Sequence, residues 1–216
     1  LSMFRRPPAA VEVKASLTAA TLVTNPGQPV WTPRDYRAFA DEGYARNVIA
    51  YQAINRIADA VASVEWLVFR GGTELTAHPL IDLINRPNPE QGRAEYLRAK
   101  VGYYLIAGNS YEERVTIGGV ARELYQLRPD RMKVIPSASG APAAYEYKVG
   151  QQVVRYPVDV KGLSDISHMR AFNPVNDWYG LSPIEPSMRA IDQHSYAQSW
   201  VVALLQNSAR PSGALA

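Results

Sequence analysis

The stretch Tyr179-Gly180-Leu181-Ser182-Pro183-Ile184-Glu185 marks the start of the last long helix that this sequence predicts. Ser182 and Glu185 have the spacing of a capping box, in which each side chain binds the backbone N–H of the other residue. Pro183 stands at the first helical position, where proline is favoured. Pro186 removes the donor of an early intrahelical hydrogen bond, so the first turn is expected to be irregular.

The far end of this helix is apolar on every side. Helical spacing continues to about Asn207, and the final turns read Trp200-Val201-Val202-Ala203-Leu204-Leu205. A helix of this kind is buried, either in a core or against a partner. Trp200, Leu204 and Leu205 are therefore candidate residues of an oligomer interface.

Three further helices are predicted upstream. One runs from about residue 46 to 64, one from 94 to 107 with a stop at Gly108-Asn109, and a short one over 78–84. A brief helix near Pro33 is expected as well, with Thr32 as its N-cap. The helix over 46–64 is interpreted as a core helix with its apolar face made by Ile49, Ala53, Ile57, Ala60, Val61 and Val64.

The middle of the chain predicts strands. Two glycines, Gly71-Gly72, join β-prone runs and indicate a hairpin. Between residues 110 and 171 six short β-prone runs follow, punctuated by glycine and proline: 111–117, 122–127, 132–135, 145–149, 153–158 and 166–171. The predicted fold class is α+β, with long helices flanking a meander of short antiparallel strands. Residues 1–33 are expected to be a poorly ordered N-terminal segment and residues 34–216 one domain.

Composition excludes several chemistries. The chain has no cysteine, which rules out disulfides, thiolate metal sites and a cysteine nucleophile. Its three histidines are not at ligand spacing, and neither a Walker loop nor a G-x-S-x-G elbow is present. We therefore expect no metal and no cofactor, and the missing motifs speak against an enzyme. The formal net charge of +3 gives only weak support for nucleic acid as a principal ligand.

One basic cluster is a candidate contact. Arg128, Arg131 and Lys133 surround Pro129-Asp130 at a predicted turn. They are suited to bind phosphate or an acidic partner surface. The alternative is an ordinary solvated loop, since surface charge is usual.

Several short stretches, in their combined order and spacing, resemble the portal proteins of tailed bacteriophages and of phage-derived gene transfer particles. The resemblance covers about residues 46–216. The stretches are YQAINRIA at 51–58, HPL at 78–80, NRPNP at 85–89, GNSY at 108–111, RPDRM at 128–132, NPVNDWYGLSP at 173–183 and ARPSG at 209–213.

The resemblance implies a structural subunit of the ring at the capsid vertex through which double-stranded DNA is packaged and ejected, joining head to tail. It implies a homo-oligomeric ring, a dodecamer in the parent protein. It also implies contacts with the large terminase subunit, the major capsid protein and head–tail adaptor proteins. The implied location is the virion and, during assembly, the host cytoplasm. No membrane is implied as a partner. Family members continue past ARPSG, so this chain is expected to be the portal wing-like part, without the stem and clip regions.

Two other function classes stay open at this point. One is a phage-encoded adaptor or binding module, which would share the lack of catalytic motifs. The other is a hydrolase or nuclease whose dispersed acidic, histidine or serine residues converge only in the folded chain.

Overall fold

The computed structural model describes residues 31–137 and 140–207. The predicted N-terminal segment lies outside this part of the chain except for its last three residues. The ARPSG stretch at 209–213 also lies outside it.

The five α-helices of the described residues correspond in place to the five predicted helices. The π-helix that follows the first of them was not predicted. The α-helices are α1 (Tyr36–Ala38), which continues directly into a π-helix (Phe39–Ala45), then α2 (Val48–Ala62), α3 (Pro79–Asn85), α4 (Arg93–Ala107) and α5 (Met188–Gln206). Asn47 caps α2, because its side-chain oxygen accepts hydrogen bonds from the N–H groups of Ile49 and Ala50, both at 3.1 Å.

Thr32 is not the N-cap of the first helix, so that prediction is wrong. Asp35 caps α1 instead, accepting from the N–H of Ala38 at 2.9 Å. Thr32 binds the buried carboxylate of Asp192 on α5, through its backbone N–H at 3.0 Å and its hydroxyl at 2.6 Å. A partner 160 residues away in sequence therefore outweighs the local capping preference.

The strands are antiparallel throughout. They are β1 (Val68–Arg70), β2 (Thr73–Leu75), β3 (Asn109–Ile117), β4 (Val120–Leu127), β5 (Met132–Pro136), β6 (Pro142–Val149), β7 (Gln152–Pro157) and β8 (Ile166–Arg170). β1 and β2 form the predicted hairpin, and the other six form two three-stranded sheets in the orders β4-β3-β8 and β5-β6-β7. The α+β class is confirmed. The expected meander is interrupted because β8 returns to pair with β3, placing Tyr111 opposite His168.

One core lies between the two three-stranded sheets. Its buried members are Tyr111, Leu127, Met132, Val134, Tyr145 and Ile166. The hydroxyl of Tyr156 on β7 donates to the carboxylate of Glu113 on β3 at 2.9 Å and so links the two sheets. Glu112, which points to the opposite face of β3, accepts from Lys100 Nζ on α4 at 2.6 Å and from the hydroxyl of Tyr96.

A second core joins the helices. Phe39 of the π-helix, Ile54 of α2, Ile106 of α4 and Ile184 and Met188 around the start of α5 are buried together. Each such side chain contributes about 1.5–3 kcal/mol relative to an exposed one. This cluster holds α2 beside the beginning of α5.

The predicted core face of α2 is wrong. The helix buries Ile54, Ala58 and Ala62, whereas Ile49 and Ile57 of the predicted face are exposed. Helical spacing reveals an apolar face but does not tell which of two apolar faces packs against the chain's own core.

The start of α5 is irregular, as Pro186 predicts. Residues Glu185–Ser187 form a 3-10 turn, and the α-helix begins at Met188. The hydroxyl of Ser182 accepts from the N–H of Ile184 at 3.1 Å and donates to the carbonyl of Ile106 at 2.6 Å. Ser182 thus fixes the turn to the end of α4, and the predicted capping box gives way to this contact.

Candidate assembly surfaces

An apolar groove of about 410 Å³ lies between α2 and the first half of α5. Ile49, Ala53 and Ile57 form its α2 side, and Ile184 and Ile191 contribute from the α5 side. The α2 residues are those that the sequence assigned to the core. Their exposed face therefore belongs to a concave surface instead.

Asn47 connects α2 to α5 at one end of this groove. The residue is buried, and its side-chain oxygen caps α2. Its Nδ2 lies 3.0 Å from His194 Nδ1 and 3.3 Å from Ser195 Oγ, both on α5. The side chain of Asn47 thus caps the start of α2 and also contacts α5, which holds the two sides of the groove together.

The last half of α5 projects from the domain. From Tyr196 to Gln206 every residue is exposed except Leu204, which is half-buried. The predicted interface residues Trp200 and Leu205 are 66% and 68% exposed. The described part of the chain therefore does not bury this apolar segment in a core. Among the described residues no helix has the length and apolar character needed to cross a membrane.

The three residues of the basic cluster lie at or next to one turn, and Asp130 pairs with one of their positive charges. Arg128 binds the carboxylate of Asp130 through Nε at 3.0 Å and Nη2 at 2.8 Å, and this hydrogen-bonded pair raises the pKa of Arg128. Lys133 is exposed on β5, opposite Glu146 on β6. Arg131 lies half-buried in the 3-10 turn Pro129–Arg131. The contact role of all three stays a prediction.

The connection from β8 to α5 forms a closed loop over residues 171–180, which we call the Ω-loop. Asn173 Oδ1 accepts from the N–H of Val175 at 3.0 Å, while its Nδ2 donates to the carbonyl of Tyr179 at 3.0 Å. Asn176 Oδ1 accepts from the N–H groups of Trp178 at 2.8 Å and Tyr179 at 2.9 Å. The loop therefore has one well-defined shape.

The base of the Ω-loop is held by β3 and the end of α4. Asn109 Oδ1 accepts from the N–H of Gly180 at 2.8 Å, and the carbonyl of Gly108 accepts from the N–H of Ala171 at 2.8 Å. Two apolar side chains of the loop, Phe172 and Val175, point into solvent and are 86% and 88% exposed. The Asn-Pro and Asn-Asp pairs of this stretch are typical of a turn, but no sequence pattern predicted that these two side chains would be exposed.

His168 lies where the loop base meets the sheet core. Its ring stacks on Tyr111 with centroids 4.2 Å apart, and its Nε2 is 3.0 Å from Asn109 Oδ1. Burial, assisted by the positive charge of Arg170, lowers the pKa of His168 to about 4. The imidazole is therefore neutral at pH 7. In the part of the chain that the structure describes, no group of three or more acidic or histidine side chains is placed to hold a metal ion.

The sequence of this chain is similar to a known protein family. The family described as phage portal protein matches residues 49–216. An uncharacterized protein of Rickettsia bellii is 32% identical over 184 residues, which covers 81% of this chain and 46% of that protein. One of Rickettsia felis is 34% identical over 177 residues, with the same coverage of 81% and 46%.

The chain is also similar to chains in solved structures of gene transfer agent particle necks. A chain in the neck of an empty gene transfer agent particle, computed with C6 symmetry, superposes with a TM-score of 0.77 and 41% identity, covering 89% of this chain and 52% of that one. A chain in the neck of a native particle, computed with C12 symmetry, gives a TM-score of 0.72 and 42% identity, covering 87% and 49%. The chain thus spans about half the length of the relatives it matches.

Proposed function

This chain belongs to the phage portal protein family, and from that membership we propose that it is a structural part of a portal ring at the head–tail junction of a phage or gene transfer agent particle. The observation that carries the proposal is the likeness to a neck chain at 41% identity over 89% of this chain. The ring passes double-stranded DNA into the capsid during packaging and out of it during ejection.

The same proposal assigns partners by class. The large terminase subunit docks during packaging, the head–tail adaptor proteins bind afterwards, and the major capsid protein surrounds the ring. Assembly takes place in the host cytoplasm and the finished ring resides in the virion. The role is structural and not enzymatic, which the family membership supports.

A ring requires a head-to-tail interface, in which two different surfaces of one subunit meet. The chain offers two apolar surfaces that its own fold leaves exposed, the groove beside α2 and the projecting end of α5. Trp200, Leu204 and Leu205 belong to the second surface, and we assign them to contacts between ring subunits. The basic residues Arg128, Arg131 and Lys133 are assigned to a phosphate or an acidic partner surface.

Electron microscopy of the full-length gene product tests the proposal directly. We expect rings with an axial hole and twelvefold symmetry, in line with the C12 symmetry used for a matched neck. Particles of monomer size under all conditions would contradict the portal role and favour an adaptor. The 216-residue chain, imaged in parallel, shows whether this part forms rings alone.

A further inference from the structure

The Ω-loop is a convex apolar feature, and the groove beside α2 is a concave one. We propose that Phe172 and Val175 of one subunit insert into the groove of a second copy of this chain, between α2 and α5. The inference rests on the proposed ring, and it adds which two surfaces meet. The occupant of the groove is thus a segment of an identical neighbour.

Hydrogen bonds within the subunit hold the loop in its conformation without a partner. Asn173 and Asn176 bind four backbone groups within it, and Arg170 binds the carbonyl of Asp177. Ordering a loop on binding costs free energy, and a preformed loop avoids that cost. The two exposed side chains are therefore held ready for contact.

The exposure of these side chains is itself informative. Phe172 is 86% exposed, so it does not enter the groove of its own chain. Large apolar side chains that become buried at the centre of an interface contribute most of the binding free energy, and aromatic residues are enriched there. The exposed phenylalanine of a loop held by hydrogen bonds has the properties of such a centre, with Val175 beside it.

The groove matches the loop in polarity. None of its described lining residues is an Asp, Glu, Lys or Arg; its polar members are Asn47, Ser187 and His194. The loop from Phe172 to Asn176 is likewise uncharged. Burying the two surfaces against each other therefore removes no charged group from water, which is the usual obstacle to close contact.

The area that the two side chains can bury is too small for a stable dimer. Two side chains bury a few hundred Å² at most, well below the roughly 1,200–2,000 Å² of a stable interface. The contact therefore does not hold a dimer on its own. Loop and groove are different surfaces, so the contact propagates head to tail and closes only in a ring, where other contacts such as those of α5 act with it.

These 216 residues contain no cysteine, so once any cysteine elsewhere in the full-length protein has been replaced by serine, introduced cysteines report a contact without background. In the full-length protein, Phe172→Cys is combined with Ile57→Cys on the groove wall, and disulfide formation is followed on a non-reducing gel. We expect a ladder of covalent oligomers from the double variant and only monomer from each single variant. The matched control pairs Ile57→Cys with Val160→Cys, a fully exposed valine in the loop between β7 and β8, and should give no ladder.

Three results would overturn the inference. One is the absence of a ladder although rings form, and another is an intramolecular disulfide between positions 57 and 172. The third is a cysteine at position 57 that fails to react with a small thiol reagent even in the free subunit, since the groove is then filled by another part of the same polypeptide. Microscopy of the same samples separates this failure from a failure of the portal role, which would give no rings at all.

Discussion

Gly108 and Gly180 cross so closely that neither has room for a side chain. A Cβ on Gly108 would lie 2.5 Å from the carbonyl carbon of Leu181, and a Cβ on Gly180 would lie 2.5 Å from the backbone nitrogen of Ala171 and against the carbonyl oxygen of Gly108. The obstructing atoms are backbone, which cannot move aside as a flexible side chain does. The end of α4, the start of β3 and both ends of the Ω-loop therefore meet at one point.

Gly180→Ala is expected to destabilise the domain by about 3 kcal/mol, because the methyl group forces the Ω-loop base away from α4. Chemical denaturation of the variant and the parent measures this difference. The matched control is Gly102→Ala inside α4, where a Cβ meets nothing within 4 Å. That change should stabilise the helix by about 0.5–1 kcal/mol. Equal stability of both variants would show that the crossing is looser than the structure indicates.

His168 makes the stability of the domain depend on pH. The folded-state pKa of about 4 lies below the ordinary value of 6.5, so the unfolded chain binds the proton more readily. The contribution is fully present above about pH 6.5 and is lost as the pH falls towards 4. The loss amounts to about 3 kcal/mol at most.

The measurement compares the free energy of unfolding at pH 7.5 and 4.5 for the parent and for His168→Gln. The variant keeps a side chain able to donate to Asn109 but has no titrating ring. Its stability should fall less over this range than that of the parent. Carboxylates titrate in both proteins, so the difference between them isolates His168. Parallel curves would contradict a buried neutral imidazole.

The half-buried pair Lys100–Glu112 ties α4 to β3, with Tyr96 donating to the same carboxylate. Glu112→Gln leaves the ammonium group of Lys100 without its charge partner, and we expect a loss of about 2 kcal/mol. Adding Lys100→Met should restore part of this loss, because the unpaired charge is then gone. Breaking the exposed pair Arg98–Asp59 with Asp59→Asn should cost less than about 1 kcal/mol. A similar cost at both pairs would mean that burial does not strengthen the first one.

Much of this fold could be predicted from the sequence because its signals are local. Gly108 stops α4 with a left-handed backbone, and Gly71-Gly72 turns the first hairpin, as their positions indicate. The pairing of β8 with β3 could not be predicted, since it joins residues about 55 positions apart that no turn connects. The burial of Ile54 instead of Ile57 also depends on which helices meet α2, and spacing carries no information about that.

The candidate surfaces, too, could be predicted from the sequence only in part. The apolar end of α5 was visible as a run from Trp200 to Leu205, and its alternatives were a core or a partner. Only the folded chain shows that these residues, apart from the half-buried Leu204, are exposed. Phe172 and Val175 gave no signal as a pair, because isolated apolar residues in a loop are common and their importance comes from the hydrogen bonds that hold the loop.

Trp200→Glu separates folding from assembly. The side chain is 66% exposed and belongs to no buried cluster of the described residues, so the free energy of unfolding should change by less than about 0.5 kcal/mol. In the ring, the new carboxylate would be buried without a partner, which costs several kcal/mol at each subunit contact. We therefore expect a folded full-length protein that fails to form rings, judged by denaturation and by electron microscopy. Gln193→Glu adds the same charge at an exposed position nearer the start of α5 and should assemble normally. Rings of normal stability from the Trp200→Glu protein would remove the end of α5 from the subunit interface.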